Sequence, residues 1–397
     1  MAGPMDGIRV VELGVWVAGP ACAGILADWG ADVVKVEPHA GDPFRSLEWL
    51  YDEGNPPFAL DNRGKRSVAL DLSVPAGMDV LHRLLDDADV FVSNVRPGGL
   101  ERMGLDYDTV SKRCGRLVYA SITGLSLHGD ERDRQTYDVG AFWSRAGIAA
   151  ALTPPDGRLP YQRGGMGDHM TALAAAAGIA AALYHRTATG EGQLVETSLL
   201  RLGAYMIGWD HNVTAMTGTE TVPWSRDAPP NPLINCYRCA DGEWFWMLGL
   251  EGDRHWPAAT AALGRPDWLD DPRYATIELR LENAAALIAE MDAVIAGRTR
   301  AQWGEVFDAG DVWWAPVQST LEMRADPQAR AAGCWVSVPA ADGSTVEMVA
   351  TPVDFSACPW QVADGVPEIG QHTELVLTEL GIGWDEIAEL SAAGAIP

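Results

Sequence analysis

IRVVELGVWVAGPACAGILADWGADVVKVE, residues 8–37, reads as a strand, a helix and a second strand. Ile8–Leu13 and Val33–Glu37 are short runs rich in β-branched residues, and Pro20–Trp29 between them is built of small and aliphatic residues with Pro20 at a first helical turn. A proline is tolerated there because its missing N–H would have no partner in the helix anyway. The alternation continues outward. Val68–Leu72, Val90–Val95 and Leu117–Ile122 are further strand candidates, and Ala76–Asp87 is a further helix. Strands and helices taking turns predict an α/β fold with a mainly parallel sheet covered by helices, of nucleotide-binding type. The connection from Gly14 to Pro20 contains no GxGxxG, so a dinucleotide cofactor is disfavoured. That connection nevertheless lies near a helix N-terminus, where anions are welcome.

Further along, Met166–Arg186 predicts a long Ala-rich helix closed at Thr189 and Gly190, followed by a strand Gln193–Thr197 and a helix Leu199–Met216. Thr221–Pro232 holds four prolines among polar residues and reads as a linker. The expected organisation is a large domain from residues 1–220, this linker at 221–232, a small domain at 233–310, and 311–397 returning to the large domain. The small domain carries a strand Glu243–Leu248 and helices Trp256–Leu263 and Leu281–Ala296; the chain ends in helices Glu374–Leu380 and Trp384–Leu390.

Composition narrows the function. A net charge of -26 argues against nucleic acid as a partner, since that work needs cations to neutralise phosphates. The basic residues are unevenly placed: Lys35, Lys65 and Lys112 all fall in the first third, with Arg63, Arg66, Arg96 and Arg102 beside them. This island suits either a phosphorylated ligand or a solvated surface. Six cysteines are too sparse for a disulfide framework, and Cys236 and Cys239 form a CxxC with no second pair at zinc spacing, so reduced thiols and no metal are expected. The N-terminus lacks a secretory pattern, and the longest weakly polar run, Ala172–Tyr184, falls short of the roughly 20 residues that span a bilayer. A cytoplasmic protein without membrane partners is the expectation.

Asp168 follows Gly164, Gly165 and Gly167 and directly precedes the long helix. One reading is capping, because aspartate accepts the orphan N–H groups of a helix start. The other is catalysis: the same N–H groups stabilise a carboxylate that attacks a thioester, and glycines let a ligand approach the backbone.

Over nearly its whole length the sequence resembles the class III CoA-transferases, the group of formyl-CoA transferase and carnitine CoA-transferase. The resemblance rests on Gly7–Glu12 with Ala18–Ala21, Gly30–Glu37 with Gly41 and Asp42, Lys65–Ser67 with Asp71 and Leu72, and Asn94–Gly98 with Arg102–Gly104. It continues through Gly164–Asp168, Gly190–Gln193, Ala315–Val317 and Gly370–Thr373. It implies a Rossmann-like large domain built from both chain ends, a smaller α+β domain from the middle, and a homodimer of interlocked rings. It also implies that Asp168 is the nucleophile, forming first an aspartyl anhydride and then an aspartyl-CoA thioester. Coenzyme A and acyl-CoA would be substrates rather than permanent cofactors, with a carboxylic acid as acceptor. The segments matching the family's CoA contacts are Trp16, Val17 and Ala18, then Lys65 and Arg66, Asn94 and Val95, and Arg102, with Tyr137 beside them.

α-Methylacyl-CoA racemases share the fold and use a histidine where this chain has Tyr137, just before Asp138. A phenol is a poor base at neutral pH, which favours transfer over racemisation, the alternative, or over a non-catalytic acyl-CoA-binding relative. His169 need not share the site, because consecutive helix residues point about 100° apart. His128 lies in a polar loop. No glycine run of the formyl-CoA transferase kind occurs between Leu233 and Gly310, so formyl and oxalyl substrates are disfavoured. Trp143, Trp246 and Trp256 are candidates either for an apolar acyl pocket or for packing.

Overall fold

A computed structural model describes residues 3–50, 55–154, 157–340, 343–360, 362 and 364–397. Its centre is a six-stranded, all-parallel sheet in the order β3-β2-β1-β4-β5-β6. The strands are β1 (Arg9–Leu13), β2 (Asp32–Glu37), β3 (Arg66–Ala69), β4 (Val90–Ser93), β5 (Val118–Thr123) and β6 (Leu194–Ser198). This is the doubly wound order, in which ligands gather beyond the carboxyl ends of the strands where the order reverses, here between β1 and β4.

Both faces of the sheet are covered, which explains why its strands read as continuous apolar runs rather than alternating ones. On one face Val10, Val33, Val90, Val92 and Val118 pack with the helices Ala18–Asp28 and Met166–Thr189. These helices meet through small side chains, among them Ala21, Cys22, Ala172, Ala175 and Ala176, all buried. On the other face Val11, Val34, Phe91 and Tyr119 pack with Leu81 and Leu84 from the helix Pro75–Asp86, and with Val376, Leu377, Ile387 and Leu390 from the last two helices. Both ends of the chain thus share one core. Met166–Thr189 is long and apolar enough by length and composition to cross a bilayer, yet its alanine face is packed inside this core.

The chain divides into two compact units. The larger is Met1–Ala150, Pro160–Glu220 and Ala331–Pro397, and the smaller is Ala151–Leu159 and Thr221–Arg330. In the smaller unit β7 (Ile234–Arg238), β8 (Trp244–Leu248) and β9 (Trp314–Pro316) form an antiparallel sheet. Tyr237, Phe245, Met247, Trp256, Trp268, Ile288 and Phe307 make its core. The proline-rich stretch 221–232 belongs to this unit, held by Asn231, whose buried amide donates to the Gly249 carbonyl at 2.9 Å and whose oxygen accepts from Leu233 N–H at 2.9 Å.

Two expected helices are each divided. Leu199–Met216 becomes Leu199–Met206 and Gly208–Thr217, parting at Ile207 (φ -108°, ψ 35°) before Gly208, whose flexible backbone makes a poor helix interior. Leu281–Ala296 becomes Ile277–Glu282 and Ala284–Ile295. There the Asn283 side chain donates to the Leu279 carbonyl at 2.9 Å, offering the backbone an alternative to helix.

Candidate active site

Two charged residues inside the apolar strands organise the site. Glu12 on β1 and Lys35 on β2 are register partners, and the Lys35 ammonium donates to Glu12 at 2.8 Å and to Asp42 at 3.0 Å. On its far side Glu12 accepts from Lys65 at 2.7 Å, and Lys65 also donates to the Pro20 carbonyl at 2.8 Å and to Asn62 at 2.9 Å. Burial alone would raise the Glu12 carboxyl, but the two lysines outweigh it and hold its pKa below the ordinary value. The chain of charges ends at Asp42, which accepts the backbone N–H of Trp16 at 3.1 Å and of Phe44 at 2.9 Å.

The loop after β1 is therefore fixed from beneath. It is also clamped from β4, because Asn94 accepts from Val15 N–H at 3.0 Å and donates to the Val15 carbonyl at 2.7 Å. Gly19 permits this approach, since a Cβ there would lie 3.0 Å from Asn94 Cγ. Held this way, Trp16 takes a left-handed φ of 65°, a conformation costly for a bulky residue and characteristic of functional loops. Its ring meets the edge of Tyr137 at 5.7 Å, and Tyr137 is 64% exposed.

The helix bearing Asp168 opens beside this loop. Gly165, with φ 73°, precedes its first residue, and a Cβ at Gly165 would sit 3.8 Å from Val17 Cγ1. The cap is supplied from elsewhere: Asp138 accepts the Gly167 N–H at 3.0 Å. Only glycine fits there, because a Cβ at position 167 would fall 2.2 Å from Asp138 Oδ1 and 2.3 Å from Phe142 Cγ. Asp168 stands in the first turn, half-buried, and among the described residues its carboxylate makes no hydrogen bond. Burial first, then the neighbouring Asp138 carboxylate, push its pKa up to about 7 against the opposing pull of His169, with Asp61 adding a smaller push. His169 is held by Asp61, Nε2 to Oδ1, at 2.8 Å.

The sequence-predicted residues divide accordingly. Val17 lies beside the turn that carries Asp168, Trp16 meets Tyr137, Asn94 clamps the loop at Val15, and Ala18 opens the helix that follows, while Val95 is half-buried against the opposite core. Arg102 is exposed in the last turn of Pro97–Met103 and forms no ion pair or hydrogen bond among the described residues. Lys65 is 2% exposed and its ammonium is spent on Glu12, Pro20 and Asn62. Arg66 is also engaged within the chain. It begins β3, at the amino end of the sheet, and pairs with Asp32 at 2.5 Å and Glu379 at 2.6 Å, far along the strands from the carboxyl ends. Much of the basic island is thus internal scaffolding, Arg63 included, which pairs with Asp28 at 2.7 Å.

His128 is 82% exposed, 3.6 Å from Glu196, and does not join the cluster. Trp143 is buried, donating to the Pro160 carbonyl at 3.1 Å, and Trp256 is buried against Trp268, so both are packing residues. Trp246 faces outward on β8 and is 43% exposed. Sequence reading missed Asp61, met Asp42 only as part of a matching motif, and saw in Asp138 only a neighbour of Tyr137. The one available signal was a pair of opposite charges, Glu12 and Lys35, at matching depth in two apolar strands. Among the described residues no cluster suited to a metal ion occurs, and the six cysteines are free thiols.

Comparison with known proteins agrees with this geometry. (R)-2-hydroxy-4-methylpentanoate CoA-transferase of Clostridioides difficile is 32% identical over 388 residues, covering 96% of this chain and 97% of that protein. Cinnamoyl-CoA:phenyllactate CoA-transferase of Clostridium sporogenes is 32% identical over 392 residues, covering 97% and 95%. The crystal structure of a CAIB/BAIF family protein from Brucella suis matches with a TM-score of 0.85 at 29% identity, covering 96% of this chain and 100% of that one. The sequence pattern of CoA-transferase family III spans residues 5–373, and the chain belongs to that enzyme family.

Proposed function

We propose that this enzyme moves coenzyme A from an acyl-CoA to a carboxylic acid with Asp168 as covalent nucleophile. The observation that carries the reading is that Asp138, not Asp168, caps the helix, which leaves the Asp168 carboxylate unpaired and basic beside a glycine turn. A carboxylate whose pKa is raised by burial and a like charge is a better nucleophile than one satisfied by hydrogen bonds.

In the first step an Asp168 oxygen attacks the thioester carbonyl carbon, and the CoA thiolate leaves, giving a mixed anhydride. The thiolate then attacks the Asp168 carboxyl carbon and expels the donor acid as a carboxylate, giving an aspartyl-CoA thioester. The acceptor carboxylate attacks that thioester and releases the thiolate, which attacks the acceptor carbonyl and frees Asp168. The backbone N–H groups of Gly164 and Gly165 donate to no described residue, which supports a role for this turn in stabilising the oxyanion of each step.

Trp16, Val17, Ala18, Asn94, Val95 and Tyr137 form the CoA-binding rim in this reading, and Arg102 is the cation available for a CoA phosphate. The working unit is a homodimer. Gly208–Thr217 buries none of its residues within the chain, and Trp209 and Met216 on it are 86% and 87% exposed, an apolar surface that a partner subunit would cover. Sedimentation of the full chain measures the dimer.

Incubation with acyl-CoA and hydroxylamine should convert Asp168 to a hydroxamate found by peptide mass spectrometry. Transfer by Asp168→Asn at the normal rate, or exchange of the α-hydrogen with solvent without an acceptor, would overturn the reading.

A further inference from the structure

The transfer steps above make no use of His169, yet one edge of its ring is held and the other lies close to the Gly165 backbone. Nε2 lies 2.8 Å from Asp61 Oδ1, and Cε1 and Nδ1 lie 3.1 and 3.2 Å from where a Cβ would stand on Gly165. The ring is therefore folded back over the turn that opens the Asp168 helix. Asp61 is 2% exposed, and its second oxygen is buried without a partner. A buried carboxylate satisfied on one side only needs a compensating cation, because an uncompensated charge in the interior is strongly unfavourable.

The groups acting on this pair come from several elements. Asp138 and Asp168 face His169, while Lys65 and Glu12 act on Asp61 from behind with opposing effects. Burial disfavours the imidazolium, but Asp61, Asp168 and Asp138 together outweigh it and raise the His169 pKa above its ordinary value. Of the charges acting on Asp168, two are carboxylates, Asp138 and Asp61, and His169 is the one cation.

We propose that His169, held by Asp61, is a positioning residue for the nucleophile: its charge offsets the surrounding carboxylates and favours the ionised form of Asp168, and its ring packs over the Gly165 turn. The proposal rests on Asp168 being the nucleophile. It assigns a role to the histidine that follows the nucleophile and to an aspartate more than a hundred positions upstream. Chemically, Asp138 makes Asp168 more basic while His169 opposes part of that rise. His169 needs its charge only while Asp168 is becoming ionised. Its raised pKa favours that charged form while Asp168 ionises.

The test is the pH dependence of the first turnover, read as hydroxamate formed at Asp168 in the full-length enzyme. His169→Gln retains a donor for Asp61 but removes the cation. An opposite charge at close range typically moves a carboxyl by about 1–3 pH units, and partial exposure places this case at the low end. The acid limb should therefore move to higher pH by about one unit, a roughly tenfold loss on the acid side, with the alkaline plateau largely recovered. His169→Lys should bring the limb back toward wild type. His169→Asn, which also removes the cation, should move the limb the same way, and it carries the test should His169→Gln not fold. A uniform loss at every pH with an unmoved limb would overturn the proposal, as would an acid shift in either variant. A wild-type enzyme that yields no adduct at Asp168 would instead sink the nucleophile reading, so the two failures are distinguishable.

Discussion

Asp138→Asn offers a sharp test of how the site is tuned, because it should make the enzyme work better under acid conditions. The Asp138 carboxylate accepts the Gly167 N–H at 3.0 Å, and an asparagine oxygen can accept the same bond while the charge is lost. Asp168 is lifted from 3.8 to about 7, with burial the largest cause and Asp138 the next. Removing the second cause alone should lower the Asp168 pKa by about one unit. At pH 6 a group of pKa about 7 is ionised in roughly a tenth of molecules, and one of pKa about 6 in roughly half, so the first turnover at pH 6 should rise about fivefold. The plateau above pH 8 should fall, since a less basic carboxylate is a weaker nucleophile. The assay is single-turnover thiol release from acyl-CoA across pH 5–9. The asparagine side chain would also leave a buried amide N–H near the unpaired Oδ1 position, at about 1–3 kcal/mol, which a melting curve reports separately. An acid limb that stays in place, or moves to higher pH, would refute the electrostatic account of Asp168.

Lys65→Met should destabilise the fold by about 3–5 kcal/mol, because it strips one partner from the buried Glu12; chemical denaturation measures the loss, and an unchanged midpoint would contradict the scaffold role. Gly167→Ala should break the Asp138 cap and cut adduct formation, since its Cβ would fall 2.2 Å from Asp138 Oδ1; wild-type trapping in this variant would show that the contact is not needed. Arg102→Gln should raise the KM for acyl-CoA about tenfold with little change in melting, consistent with loss of one charged hydrogen bond. Arg66→Gln, at the other end of the sheet, should leave that KM unchanged, and steady-state kinetics on the two variants compare them directly.

The sheet was legible because burial on both faces writes most of its strands as largely apolar runs, and every strand of the large sheet follows an expected one within three residues at either end. Helix ends were harder. The parting at Ile207 needs no proline and no charge, only a glycine after a residue whose backbone leaves the helical region, and such a choice is made by tertiary packing. Charge counting misled for a definite reason. Lys35, Arg63 and Lys65 look like a ligand-binding island because sequence does not show that each faces a buried carboxylate, Glu12, Asp28 or Asp42. The effect of Lys35 and Lys65 on the site is indirect: they hold the Trp16 loop from below while Asn94 holds it from the side.

The local sequence around Asp168 left two roles open, and the reason lies in how far the deciding residue sits along the chain. Whether an aspartate in a first turn caps its own helix depends on whether another acceptor reaches the same N–H groups. Here Asp138 does so from 29 positions upstream. It can approach only because position 167 carries no side chain, while Gly165 supplies a left-handed φ and leaves room for the His169 ring. The glycines are thus not a single flexible loop. Gly165 and Gly167 each leave room for a particular neighbour, and together they bring Asp138, Asp61 and His169 around a carboxylate that none of them hydrogen-bonds. Such an arrangement gives up helix-capping stability at Asp168 in exchange for basicity, the balance a covalent nucleophile needs and a structural cap does not.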